Sequence, residues 1–72
     1  MDLEKPKLTI GERITRQRIY WGFDQKELAR RTGIAQGLIS HYENDKRMPG
    51  IHNAIKIAKA LGVTVEELFS NI

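Results

Sequence analysis

The feature that most constrains this 72-residue sequence is a repeated signal for the start of a helix. A threonine or aspartate stands three positions before a glutamate at Thr9–Glu12, Asp24–Glu27 and Thr64–Glu67. At this spacing the two side chains can each accept a hydrogen bond from a free backbone N–H of the first turn, an arrangement called a capping box. Three such starts in one short chain predict several short helices.

Glycines predict where the helices end, because glycine readily adopts the left-handed conformation that closes a helix. Gly22, Gly33 and Gly62 each follow a segment with apolar residues at helical spacing, and no segment alternates as a strand would. We expect an all-α, compact five-helix domain. The predicted helices begin after Thr9, after Asp24, at Gln36, at Ile51 and after Thr64, the fourth with Ile51, Ala54, Ile55, Ala58 and Leu61 at helical spacing.

Composition narrows the class of protein. The sequence has no cysteine, which excludes disulfides and thiolate metal sites, and its net charge of +3 is only modestly basic. Its apolar stretches are too short to span a bilayer, and its first residues lack the apolar region of a signal peptide. We therefore expect a cytoplasmic protein with a flexible arm at residues 1–8 and one domain at residues 9–72.

The second and third predicted helices carry the functional signal. They extend from Gln25 to Asn44 and are joined by a turn of about three residues that contains Gly33. Two short helices joined in this way form a helix-turn-helix, whose second helix protrudes. An α-helix fits the major groove of B-DNA, where every base pair presents a distinct pattern of donors and acceptors. This arrangement predicts binding to double-stranded DNA.

A wider set of residues extends this motif over most of the chain. Its members are Ile14, Arg18, Gly22, Gln25, Leu28, Ala29, Gly33, Ile34, Ile39, Ser40, Glu43, Asn44, Pro49, Ile57, Ala58, Ala60, Leu61, Gly62, Val63 and Leu68. With this ordered set the sequence from Ile10 to Leu68 resembles the phage repressor/Cro-type helix-turn-helix family, which has the lambda repressor-like fold. The resemblance implies a transcriptional regulator that binds a pseudo-palindromic operator as a homodimer in the cytoplasm, associated with the nucleoid.

The resemblance also implies a role for individual residues. Arg18 and Glu43 match a pair that forms a largely buried salt bridge between helices 1 and 3. The implied base-contact residues are Ala35, Gln36, Gly37, Ser40 and His41. The implied phosphate-contact residues are Gln25, Asn44, Lys46 and Arg47.

The chemistry of these side chains supports part of this assignment. Glutamine can pair through two hydrogen bonds with adenine N6 and N7, which makes Gln36 the best candidate for reading a base. His41 can donate or accept, but a surface histidine is an equally ordinary interpretation. Lys46 and Arg47 would add salt-sensitive affinity without sequence information. Ala35 and Gly37 offer little to a base, so part of the affinity is expected to come from phosphate contacts and DNA shape.

Three residues depart from the family pattern. Gln17 stands where an aliphatic residue is frequent, and we expect it to loosen helix 1. Asp45 replaces the usual glycine, and aspartate tolerates the left-handed conformation better than most residues. Ala35 lacks a side-chain acceptor at the N-cap position of helix 3, which weakens that helix start by roughly 1 kcal/mol.

Another function class stays open. The apolar run of Ile19, Tyr20 and Trp21 cannot all face one core; it is either a satellite cluster, with Trp21 packed inward, or a surface for a protein partner. The second interpretation would make the chain a protein-interaction module, antitoxin-like or an adaptor. We expect no enzyme, metal, cofactor or small-molecule substrate, because the two histidines lack partners at ligand spacing and Ser40–His41 lacks an orienting acid.

Overall fold

The computed structural model describes residues 7–69. Five helices follow one another: α1 (Ile10–Tyr20), α2 (Gln25–Thr32), α3 (Gln36–Glu43), α4 (Ile51–Leu61) and α5 (Val65–Phe69). Within residues 7–69 there is no strand, which confirms the all-α prediction. Most of the predicted arm at residues 1–8 lies outside the described residues, as do the last three residues of the predicted domain at residues 9–72.

The predicted capping boxes form at the first and last helices. At α1 the Thr9 hydroxyl accepts from Glu12 N at 3.0 Å, and the Glu12 carboxylate accepts from Thr9 N at 2.9 Å. Thr64 and Glu67 make the same reciprocal pair before α5, with both distances 2.9 Å. The positions of these two helix starts are therefore predicted correctly by the local pattern.

The box predicted at α2 is only half formed. Asp24 accepts from Glu27 N at 2.7 Å, but the Glu27 carboxylate binds Arg30 and Arg31 instead of the Asp24 backbone. The prediction of a complete box was wrong because two arginines on the next turn offer charge-assisted hydrogen bonds, which are stronger than a bond from a neutral amide. These bonds lower the pKa of Glu27 to about 2, with Arg30 the largest cause.

The core is built from one stripe of each helix. Its fully buried side chains are Ile14, Leu28, Ile39, Ile57 and Leu61. On α4 the buried stripe is Ala54, Ile57, Ala58 and Leu61. Of the other apolar residues at helical spacing on α4, Ile51 is 63% exposed and Ile55 38%. With 3.6 residues per turn, Ile51 lies at the edge of the stripe defined by residues 54, 57, 58 and 61, and Ile55 lies beyond it.

The start of α1 lies directly against the end of α3. Gly11 is buried, and a Cβ placed on it would lie 2.5 Å from the backbone oxygens of both Tyr42 and Glu43. No side chain fits there, so glycine at this position allows the two helices to approach closely. Because α3 also packs against α2, it is supported by both preceding helices.

The end of α1 is joined to the end of α4 through one carbonyl oxygen. Trp21 Nε1 donates to Leu61 O at 2.6 Å, and Gln17 Nε2 donates to the same atom at 3.2 Å. Gln17, which stands where the family often has an aliphatic residue, thus donates to a carbonyl that the end of α4 leaves free. Trp21 is 48% exposed rather than packed inward, although its ring lies over Gly62.

Candidate nucleic-acid interface

The residues predicted to face DNA bases share the outer side of α3. Ile39 and Tyr42 are buried on the inner side. On the outer side Ala35, Gln36, Gly37 and His41 are exposed, and Ser40 is half-buried. Position 40 lies three residues after 37 and four after 36, and position 41 lies four after 37, as expected for one helical face. The structure therefore gathers the five predicted base-contact residues on a single surface.

The first turn of this helix carries few side-chain contacts. Ala35 occupies the N-cap position without a side-chain hydrogen bond, as expected, and its backbone oxygen accepts from Leu38 N and Ile39 N at 3.0 and 3.1 Å. A Cβ added to Gly37 would meet no atom within 4 Å. At Ala35 and Gly37, the start of α3 therefore leaves space for another molecule to approach the backbone closely.

The turn between α2 and α3 is fixed by a residue that the sequence did not single out. Gly33 is left-handed, with φ of 73°, as predicted. Thr32 is buried; its hydroxyl donates to Leu28 O at 2.8 Å and accepts from Ile34 N at 3.2 Å. A threonine directly before the helix-ending glycine was the available signal. Its hydroxyl therefore connects the last turn of α2 to Ile34, in the segment between α2 and α3.

A buried ion pair holds the end of α3. Arg18 Nε lies 2.8 Å from Glu43 Oε2, and Nη2 lies 3.0 Å from Oε1. The side chains are 14% and 4% exposed. Arg18 also donates to Phe23 O at 2.8 Å, so one guanidinium joins α1, the α1–α2 connection and α3. The hydrogen bond to Glu43 raises the pKa of Arg18 above its usual value.

The Glu43 carboxylate also accepts hydrogen bonds from two other side chains. Thr15 Oγ1 and Gln25 Nε2 each lie 3.0 Å from Glu43 Oε1. Burial alone would raise the pKa of this carboxyl, but the hydrogen bonds from Arg18, Gln25 and Thr15, together with the Arg18 charge, hold the pKa below its ordinary value. The carboxylate is therefore charged at neutral pH, and donors from α1 and α2 converge on this residue of α3.

The predicted phosphate-contact residues lie at the start of α2, at the end of α3 and in the loop that follows it. Gln25 is the first residue of α2, and its amide is engaged by Glu43. Asn44 ends α3, and its amide donates to Ser40 O at 3.0 Å. Lys46 and Arg47 are exposed in the following loop, and their backbone N–H groups lie 2.8 and 3.4 Å from His41 O. Two cations are thereby held next to the last turn of α3.

Other kinds of site have less support in the described part of the chain. Within residues 7–69 no group of three His, Cys, Asp or Glu side chains is placed to hold a metal ion. Across the same residues, none of the helices combines the length and apolar character needed to cross a membrane.

Comparison with sequence families gives one match, a helix-turn-helix family model (HTH_3) over residues 22–68. An uncharacterised HTH-type transcriptional regulator of Archaeoglobus fulgidus is 35% identical over 57 residues, covering 79% of this chain and 81% of that protein. The replication factor C small subunit of Thermococcus kodakarensis is 48% identical over 42 residues, covering 58% of this chain. The chain spans only 5% of that subunit's length.

Solved structures match over most of the chain. The P22 c2 repressor in complex with a synthetic operator superposes with a TM-score of 0.86 at 26% identity, covering 90% of this chain and 98% of the repressor chain. SinR, described as the master regulator for biofilm formation and solved in complex with DNA, superposes with a TM-score of 0.80 at 33% identity, covering 83% and 97%.

Proposed function

The chain belongs to the HTH_3 helix-turn-helix family, and on that premise we propose that it is a sequence-specific, double-stranded DNA-binding transcriptional regulator. The observation that carries the proposal is the outer face of α3. This face presents Ala35, Gln36, Gly37 and His41 exposed and Ser40 half-buried, while Ile39 and Tyr42 anchor the helix in the core. The cations Lys46 and Arg47 follow it in the chain. The operator-bound P22 c2 repressor and DNA-bound SinR, which share the fold, support this reading of the surface.

In this proposal α3 enters the major groove. Gln36, in its first turn, pairs with an adenine, and His41 contacts a base edge one turn later. Ala35, Gly37 and Ser40 approach the groove closely without a long side chain. Because this surface carries few base-reading groups, DNA shape contributes to the preference for a site.

Phosphate contacts fix the register of α3 along the groove. Lys46 and Arg47 supply charge after the end of α3, and Asn44 adds a hydrogen bond at that end. At the start of α2, Gln25 reaches a phosphate while its amide remains joined to Glu43, which links a backbone contact to the position of α3. Such contacts give affinity for any duplex and orient the base-reading side chains.

One domain reads only a few base pairs, so we propose that two copies bind a pseudo-palindromic operator. The half-site centres would lie roughly 34 Å apart along one face of the duplex. We propose that the dimer interface includes three exposed apolar side chains, Met48, Ile51 and Ile55, which are 68%, 63% and 38% exposed. Met48 directly follows Arg47, so pairing there keeps both phosphate-contact loops close to the dimer axis.

Regulation in this proposal requires no catalysis. Occupation of the operator blocks access of polymerase, which makes the protein a repressor that acts in the cytoplasm at the nucleoid. The P22 c2 repressor, which shares this fold and was solved in complex with a synthetic operator, supports this mode of regulation.

Selection of bound duplexes from a random pool tests this function. We expect enrichment of two inverted half-sites at a spacing of about one helical turn. Enrichment of a single half-site would contradict the dimer but retain sequence-specific binding. A pool that stays unenriched after repeated rounds at low salt would contradict the function itself.

A protein-interaction module is the second candidate, and one observation favours it. Ile19, Tyr20 and Trp21 are 62%, 74% and 48% exposed, and the rings of Tyr20 and Trp21 pack edge to face with centroids 5.2 Å apart. Replacing Ile19 and Tyr20 with serine should leave duplex binding unchanged if DNA is the partner. Absence of duplex binding by the unmodified protein at low salt would favour this second candidate.

A further inference from the structure

Asp45, in the loop after α3, has an unusual backbone and an unusual pair of partners. Among residues 7–69 it is the one non-glycine residue with positive φ, at 60°. Its Oδ1 accepts from Gly11 N at 3.0 Å, and its Oδ2 accepts from the Thr9 hydroxyl at 2.6 Å. The carboxylate of this loop residue therefore caps the first turn of α1, more than thirty positions away in the sequence.

The chemistry of a helix start explains why a carboxylate is held there. The first N–H groups of a helix have no partner within it, and the positive end of the helix dipole attracts an anion. Thr9 Oγ1 already accepts from Glu12 N, and its own proton goes to Asp45. Asp45 thus completes a cap that Thr9 begins.

We propose that Asp45 is a positioning residue that fixes the direction in which Lys46 and Arg47 meet DNA phosphates. This inference rests on the proposed DNA-binding function. The side chain of Asp45 anchors the loop to α1, and the N–H groups of Lys46 and Arg47 anchor it to His41 O. With its backbone fixed on both sides, the loop presents its two long cationic side chains to the duplex at a smaller entropic cost.

Electrostatics alone makes the opposite prediction. A carboxylate next to two phosphate-binding cations repels the duplex, so its removal should strengthen binding. The two effects can be separated because asparagine and glycine both remove the charge and both accept the left-handed backbone. They differ in the cap: an asparagine side chain can accept from Gly11 N and donate to Thr9 Oγ1, and glycine can do neither.

The experiment compares Asp45→Asn and Asp45→Gly in titrations of a random-sequence duplex over a range of salt concentrations. For D45N we expect the affinity and the salt slope of the unmodified protein, or slightly tighter binding. For D45G we expect binding at least about threefold weaker and a slope reduced by about one to two, since each lost phosphate contact lowers the slope by about 0.9. Circular dichroism checks that both variants are folded.

Backbone ¹⁵N relaxation of the free proteins separates positioning from a general loss of stability. We expect increased mobility of Lys46 and Arg47 in D45G but not in D45N. Thr9→Val, which removes the hydroxyl donor while leaving the loop sequence intact, should reduce the salt slope, and Thr9→Ser should not. Equal slopes for D45N and D45G, with the unmodified protein binding duplex, would overturn the inference alone. Failure of the unmodified protein to bind would overturn the proposed function and this inference with it.

Discussion

Arg18 on α1 and Glu43 at the end of α3 form a buried ion pair with two hydrogen bonds, of 2.8 and 3.0 Å. Glu43 is the last residue of the helix proposed to enter the groove, and Arg18 belongs to the helix on which α3 rests. The pair therefore joins α1 directly to α3, the helix whose outer face is proposed to contact the bases.

Removing one partner of this pair should lower the free energy of unfolding far more than replacing both partners. Arg18→Ala leaves the Glu43 carboxylate buried without its cation, and we expect a loss of about 3–5 kcal/mol in the free energy of unfolding. The double change Arg18→Met with Glu43→Leu replaces the pair with apolar packing and should recover most of that loss. Urea denaturation measures both; a double variant as unstable as Arg18→Ala would contradict this account.

Stability should fall in acid through Glu43. Its pKa is held below the ordinary value of 4.5 in the folded state, so its contribution is fully present above about pH 4.5 and is lost as the pH falls through the lower folded pKa. Glu27, with a pKa of about 2, acts in the same direction but is exposed to solvent screening.

The variant Glu43→Gln isolates this contribution. It should be less stable than the unmodified protein at neutral pH and show a weaker dependence of Tm on pH below about 4.5. Thermal unfolding followed by circular dichroism between neutral pH and about pH 2.5 measures the profile. Parallel profiles for the two proteins would show that another group controls acid unfolding.

Replacing each of two helical glycines with alanine should change the stability of the fold in opposite directions. A Cβ at Gly11 would lie 2.5 Å from two backbone oxygens of α3, so Gly11→Ala should destabilise the fold by roughly 1–3 kcal/mol despite the better helix propensity of alanine. At Gly37 the space is open, so alanine should stabilise by up to about 1 kcal/mol. Denaturant titration of the two variants gives the signs directly, and a stabilised Gly11→Ala would disprove the close approach of α1 to α3.

Gln36 and Lys46 should affect DNA binding in different ways. Gln36→Ala removes a proposed base contact. It should make the free energy of binding to the preferred base at one position of the site less favourable by about 1–3 kcal/mol, so that the other bases are accepted more equally there. Lys46→Ala removes a proposed phosphate contact and should weaken all sequences alike, with the salt slope reduced by about one. Titrations against a selected site and its single-base variants measure both, and Gln36→Ala with an unchanged base preference would remove Gln36 from the reading surface.

Local sequence predicted the helix starts and ends well because their causes are local. The hydroxyl of Thr9, the carboxylate of Glu12 and the left-handed Gly33 act within one or two turns, so the pattern carries the structure. The resemblance to a known family added the pairing of Arg18 with Glu43, which spacing alone does not reveal.

Partners distant in sequence could not be predicted in the same way. Glu27 could bind either the backbone or two arginines, and the local pattern does not say which partner wins. The bonds from Gln17 to Leu61 O and from Gly11 N to Asp45 depend on how the helices pack. The exposure of Ile51 has a related origin, because helical periodicity identifies a stripe but does not say how far neighbouring helices cover it.

The central claim is that the α3 surface binds duplex DNA and distinguishes one sequence from others. Its most direct test is titration of the protein with a selected site and with a random duplex at two salt concentrations. We expect binding to both duplexes to weaken as salt rises, and the selected site to be bound at least about a thousandfold more tightly than the random duplex. Equal affinities for the two duplexes, or no binding to either at low salt, would contradict it.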